Sequence, residues 1–199
     1  MNGLIKSTFL LLAVTLLLAA LPTDAEAEIY EDTIRLHILA NSDSPEDQAL
    51  KLKIRDCVLD EYGSYLSNFA TKDEAEEKIM EIIPKIERSV RQWIKDLGYE
   101  YDACAVIGTE WYETRDYGDF SLPCGYYTSL RILIGDGEGK NWWCVMYPPL
   151  CTEIATENAP SDDGVIDYTK AEMKLITNGK YNIKFKILEE VSRSFAKNG

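Results

Sequence analysis

The feature that most constrains this chain is a change of hydrophobic period at Tyr99. Before it, two stretches carry apolar residues three and four apart. After it come short segments rich in β-branched and aromatic residues, with turn residues between them. In the first stretch Leu50, Ile54, Cys57, Val58, Tyr62, Tyr65 and Phe69 fall on one helical stripe. Ser44 is its expected N-cap, Pro45 takes the first helical position, and Glu46 and Asp47 place acid in the first turn. Thr71-Lys72-Asp73-Glu74 is a capping-box pattern for a second helix. Its stripe is Ile79, Ile82, Ile83, Ile86, Val90, Trp93, Ile94 and Leu97, with Gly98 as the natural stop. Pro84 inside that stripe predicts a kink or a split.

Residues 34–40 read as a strand ahead of both helices, with Arg35, His37 and Leu39 on one face. Beyond Tyr99 the expected strands are 103–109, 111–117, 126–134 and 142–147. The run Gly135-Asp136-Gly137-Glu138-Gly139 between the last two reads as a hairpin loop. Residues 152–166 form a polar surface excursion. Residues 183–196 suggest a closing amphipathic helix, although 181–187 also alternates as a strand does. The order of these elements predicts an α+β fold: one two-layer domain with an N-terminal strand and two helices, then a mainly antiparallel sheet and a C-terminal helix.

The N-terminus carries an address. Lys6 precedes an apolar stretch of 14 residues, Thr8 to Leu21; Pro22 ends it, and Ala25-Glu26-Ala27 offers a small-x-small cleavage pattern. At ~1.5 Å per residue the stretch reaches roughly 21 Å, short of a ~30 Å hydrocarbon core. Residues 1–27 are therefore read as a secretory signal and 28–199 as the working domain, with 28–33 as a short acidic linker. Removing the signal leaves 20 basic and 32 acidic residues, a charge of −12. Such an acidic surface argues against nucleic acid and against docking to anionic lipid. Membrane contact is expected only through the signal segment.

All five cysteines, Cys57, Cys104, Cys124, Cys144 and Cys151, lie beyond the signal. An exported location permits disulfides, but an odd number leaves at least one thiol over. Cys144 and Cys151 flank a Pro-Pro bend and are the favoured pair. With no CxxC and a single histidine, His37, no metal site and no cofactor are expected.

Three groups of residues invite function. His37 could serve a thiolate, yet no nucleophile signature surrounds any cysteine, and a strand histidine more often makes a buried hydrogen bond. Asn41, Ser42 and Asp43, with Arg35 and His37 nearby, crowd more polar groups around one loop than capping requires, which suggests a recognition surface. Asn141-Trp142-Trp143 puts adjacent tryptophans on opposite faces of a strand, one toward the core and one elsewhere. The glycine run is expected to be a turn needing positive φ, since a strand rather than a helix follows it.

Residues 35–44 with 47–56, then Leu122-Pro123-Cys124-Gly125-Tyr126-Tyr127 with Leu130-Arg131 and 134–139, then Asn141-Trp142-Trp143-Cys144 to Pro148-Pro149-Leu150-Cys151, resemble the stage II sporulation protein R family. The resemblance covers about residues 33–151 in the same order. It implies a signal made in the forespore of an endospore former and exported into the space between forespore and mother-cell membranes. There such a protein activates a membrane-embedded aspartic protease that processes the sigma-E precursor, and is itself no enzyme. No catalytic residue carries over. Arg35, His37, Asn41, Ser42, Asp43, Asn141, Trp142 and Trp143 become the expected partner-binding residues. Cys124 departs from the pattern, which has a small residue there, and Cys57 and Cys104 lie outside it. Cys104–Cys124 is then a cross-strand option, and Cys57 a buried free thiol. The rivals are an exported thiol-dependent hydrolase using Cys144 or Cys151 with His37, and a cell-wall-binding protein.

Overall fold

The computed structural model describes residues 2–20, 24–66, 69–117, 120–148, 172 and 177. In chain order they form α1 (Asn2–Ala20), α2 (Asp24–Glu31), β1 (Ile34–Leu39), α3 (Pro45–Leu66), α4 (Lys72–Asp96), β2 (Ala103–Tyr112), β3 (Arg115–Asp116), β4 (Ser121–Leu122), β5 (Gly125–Ile134) and β6 (Asn141–Tyr147). Helices and a mixed sheet make an α+β fold, as the change of period predicts. The expected excursion at 152–166 and the terminal helix at 183–196 lie outside the described residues.

The helix ends form as their sequences direct. Ser44 Oγ accepts the Asp47 N–H at 3.1 Å, and Thr71 Oγ1 accepts the Glu74 N–H at 3.2 Å. At the far end of α4 the Tyr99 N–H reaches the Ile94 carbonyl and the Gly98 N–H reaches that of Lys95. With Gly98 at φ +84°, this is a Schellman closure. Pro84 does not split the helix; α4 runs unbroken through it. Pro84 and Met80, whose carbonyl loses its bond, both lie on the exposed side, while Ile79, Ile86 and Val90 anchor the buried side.

The chain divides into two compact units, one of residues 30–110 and 126–168, the other of 1–29, 111–125 and 169–199. In the first, the sheet order is β2-β5-β1-β6. β1 runs parallel to β5, from Ile34↔Thr128 to Leu39↔Leu133, and antiparallel to β6, from Ile34↔Tyr147 to Leu39↔Asn141. All six residues of β1 are buried, as befits an interior strand with both faces covered. Ile34, Leu36 and Ile38 join Leu130, Ile132, Ile134, Ala103, Ala105, Cys144 and Met146 in one core. From the helices come Leu50, Ile54, Val58, Tyr62, Ala75, Ile79, Ile86, Val90 and Ile94.

The hairpin expected at Gly135–Gly139 is corrected here. β5 and β6 are not neighbours, because β1 lies between them. The loop therefore spans two strand spacings, about 9–10 Å, over the end of β1. Nothing local in residues 126–147 signals that a strand from some ninety residues earlier enters between them.

In the second unit, α2 replaces most of the expected linker at 28–33, with Glu26 and Ile29 buried. β3 and β4 pair antiparallel, and Tyr117 and Phe120 stack at 4.8 Å across their turn. Among the described residues no helix is long and apolar enough to cross a membrane.

Candidate functional site

Two of the sequence features singled out above meet at one end of the sheet, where residues 40–43 and the glycine loop interlock. Asp47, in the first turn of α3, is the centre of this contact. Its Oδ2 accepts from Asn41 Nδ2 at 2.9 Å and from Ser42 Oγ at 2.6 Å. The remaining face of Asn41 turns outward, where Oδ1 accepts the Asp136 N–H at 3.0 Å. Asp43 Oδ1 accepts the Lys140 N–H at 2.6 Å, and the Gly139 N–H donates to the Ala40 carbonyl at 2.9 Å. Lys51 Nζ completes the seam, donating to Gln48 Oε1 at 2.7 Å and to the Lys140 carbonyl at 2.8 Å.

The glycines are required by this closeness. Gly135 and Gly137 sit at φ +58° and +67°, the positive values expected of the turn. A Cβ at Gly135 would overlap Asn41 Oδ1, and one at Gly139 would overlap the Ser42 carbonyl. Asp47 is only 4 % exposed. Its hydrogen bonds from Ser42, then Asn41, hold its carboxyl below the ordinary aspartate range. Burial lowers the Lys51 ammonium, and Asp43 opposes that shift.

On the sheet face away from the helices, a polar row crosses all four strands. His37 on β1 pairs in register with Arg131 on β5 and Trp143 on β6. His37 Nδ1 lies 2.8 Å from Glu110 Oε2, and Arg131 Nε lies 3.5 Å from Glu110 Oε1. The His37 and Trp143 rings are 5.5 Å apart and tilted by 34°. One row over, Arg35 is fully buried with its guanidinium 5.1 Å above the Tyr127 ring, and Tyr30 meets that ring edge-on.

The two tryptophans take opposite faces. Trp142 packs against the helical core, with Arg55 5.3 Å from its ring, and Trp143 lies half-buried in the polar row.

A family model described as Stage II sporulation protein R (spore_II_R) matches residues 30–157. The chain belongs to the stage II sporulation protein R family. It is 37 % identical over 123 residues to the "Stage II sporulation protein R" of Bacillus subtilis (strain 168), an alignment covering 62 % of this chain and 55 % of that protein. The chain thus spans little over half the length of the curated relative it matches. No solved structure matches it. Membership makes this a sporulation protein, and the family is not named for a catalytic activity.

The family match begins at the contact of Tyr30 with Tyr127 and takes in both features described above. The structure brings Arg35, His37 and Trp143 onto one sheet face. It gathers Asn41, Ser42 and Asp43 in the loop seam, where each side chain is engaged in an internal hydrogen bond. Trp142 stands apart from both, on the core side. Glu110, Arg131 and Asp47 are the residues that sequence reasoning passed over as site residues. For Asp47 a signal existed, because Ser44-x-x-Asp47 is itself a capping-box spacing. For Glu110 there was none, since its meeting with His37 depends on strand order alone.

The geometry also separates the parts of the thiol-hydrolase rival. Cys144 is in register with Leu36 and buried in the core, whereas His37 faces the other side of the sheet. Cys151 lies outside the described residues. Cys57 is a half-buried free thiol, held in its protonated form chiefly by desolvation. Cys104 is an exposed free thiol, so the Cys104–Cys124 bridge is not formed.

Proposed function

We propose that this chain is an exported sporulation signal that works as a ligand: it binds the extracytoplasmic part of a membrane-embedded aspartic protease and favours the state that processes the sigma-E precursor. The observation that carries this reading is family membership over residues 30–157. A ligand shifts such an equilibrium only by binding the active form more tightly than the inactive one. Export rests on the leader at residues 1–27, whose apolar run is the length of a signal rather than of a permanent anchor.

Within this reading the partner meets Asn141 and Trp143, which share one face of β6, together with the exposed Asp43, while Trp142 packs on the core side. Arg35 and His37 are buried, and their part is to hold the sheet face that presents Trp143. Asn41 and Ser42 set the shape of the loop beside it. A Cys144–Cys151 disulfide belongs to the same proposal. It is supported by the half-cystine state of Cys144 and by the free thiols of Cys57 and Cys104. It would tie the end of β6 to the chain that follows.

The test is co-expression with the protease and the sigma-E precursor in a non-sporulating host. Precursor cleavage is expected only when this chain and the protease are both present. Cleavage with this chain alone would restore the enzyme reading, and no cleavage with both would remove the partner assignment. If Trp142→Ala and Trp143→Ala both fold and both still activate, the tryptophan contact is wrong.

A further inference from the structure

β2 stands at the end of the order β2-β5-β1-β6, so one side of it has no strand neighbour among the described residues. From Ala103 to Thr109 it reads Ala-Cys-Ala-Val-Ile-Gly-Thr, with no charge and no proline. A long uncharged edge of this kind is a template for pairing with another chain.

The first half of this edge is covered by side chains. Glu87, on α4, places Oε2 3.0 Å from the Ala105 N–H, which donates to it. Its Oε1 lies 2.8 Å from Arg91 Nη1. Arg91 Nε reaches across to Asp102 Oδ1, and that same oxygen accepts the Ala103 N–H at 2.8 Å. Two carboxylates thus stand where the carbonyls of an adjoining strand would stand, and Arg91 holds them together. A surface Glu–Arg pair one helical turn apart is ordinarily a minor matter of solvated charge. What sets this one apart is that its target is the backbone of an edge strand. The cover ends at Ala105: Val106 is 40 % exposed, and a Cβ at Gly108 would meet only open space.

We propose that the Glu87–Arg91–Asp102 clamp is an edge guard, and that the surface it closes fits the β2 of a second copy of this chain. A strand pairing antiparallel with itself about a two-fold axis needs no foreign sequence to be complementary. The uncharged run from Ala103 to Thr109 sets no like charges against each other in such a pair. Opening the clamp frees the Ala103 and Ala105 N–H groups together, and a second β2 supplies the carbonyls that replace the two carboxylates.

The experiment follows sedimentation of the full chain, held in mild detergent, over a wide range of concentration. The parent is expected to be monomeric through this surface. Glu87→Ala is expected to lower the dimer dissociation constant by at least about tenfold, roughly the effect of 1.4 kcal/mol. Glu87→Gln, which keeps an oxygen for the Ala105 N–H, is expected to fall between the two. Val106→Lys added to Glu87→Ala should restore the monomer by placing lysines on the paired edge. Cys104, exposed on the same strand, supplies a proximity reporter: oxidative cross-linking should rise in Glu87→Ala and vanish with Cys104→Ser. A folded Glu87→Ala that sediments as the parent does overturns the proposal. So does association that Val106→Lys leaves untouched, or a parent already paired through Cys104. Should Glu87→Ala fail to fold, Arg91→Ala, which leaves the Glu87 acceptor in place, is expected to associate more tightly than the parent by the intermediate amount set for Glu87→Gln, and sedimentation identical to the parent overturns the proposal.

Discussion

Asp47 shows how much one side chain can organise at the level of the residue. It is the third residue of a helix, a position that only asks for a mild complement to the dipole. Here it also receives Asn41 and Ser42, so the strand end, the loop and the helix start share one carboxylate. Because its folded-state pKa lies below the unfolded value of ~3.9, its stabilisation is complete above that pH and is lost as pH falls through the folded pKa. Asp47→Asn is therefore expected to cost about 1–3 kcal/mol at pH 7 and to flatten the fall in stability below about pH 4. Urea midpoints measured from pH 7 downward check both parts; a variant with the parent's acid limb rules out the assignment. Gly135 permits a sharper comparison. Gly98 and Gly135 both sit at positive φ, but a Cβ is unobstructed at the first and overlaps Asn41 at the second. Gly98→Ala should cost only the backbone penalty of about 1–2 kcal/mol, and Gly135→Ala more, by the displaced Asn41 hydrogen bonds. In an Asn41→Ala background the excess should disappear, which a double-mutant cycle in urea reports directly.

At the scale of the element, β6 carries two tryptophans whose alternation is legible but whose assignment is not. Period two states that they diverge. Only the sheet shows that Trp142 is the one against the helices and Trp143 the one beside His37. Trp142→Ala should lower stability by about 2–4 kcal/mol, less than a fully buried tryptophan because the ring is half-exposed. Trp143→Ala should cost clearly less, and thermal unfolding of the two variants decides the order; equal losses would show that both rings serve the fold alike. α4 supplies the opposite lesson. Its cap, stripe and stop were all readable because each depends on neighbours within a turn or two. Thr71→Ala should cost about 1 kcal/mol through the lost N-cap. Pro84 was readable as a breaker and did not break, because the burial of Ile79, Ile86 and Val90 on the other face outweighs one missing hydrogen bond.

For the whole molecule the leader and the domain pose separate questions. If export proceeds as proposed, the recovered protein should begin at Glu28, 172 residues long, by intact mass; an N-terminus at Met1 would mean the leader is retained. Such a cut falls inside α2, which spans Asp24–Glu31, so the first half of that helix would leave with the leader. The sequence by itself determined the α+β class, both long helices with their N-caps, the stop of α4, the strand character of β1 and the family, because these follow from periodicity, caps and contiguous motifs. Tertiary structure alone decided that β1 enters between β5 and β6, that Glu110 reaches His37 across Arg131, and that the polar loop and the glycine loop are one interlocked seam. These pairings join residues from 73 positions apart, for His37 and Glu110, to 113 apart, for Ile34 and Tyr147. What selects them is the burial of the strand carrying Ile34, Leu36 and Ile38 on both its edges and both its faces, which no local pattern records.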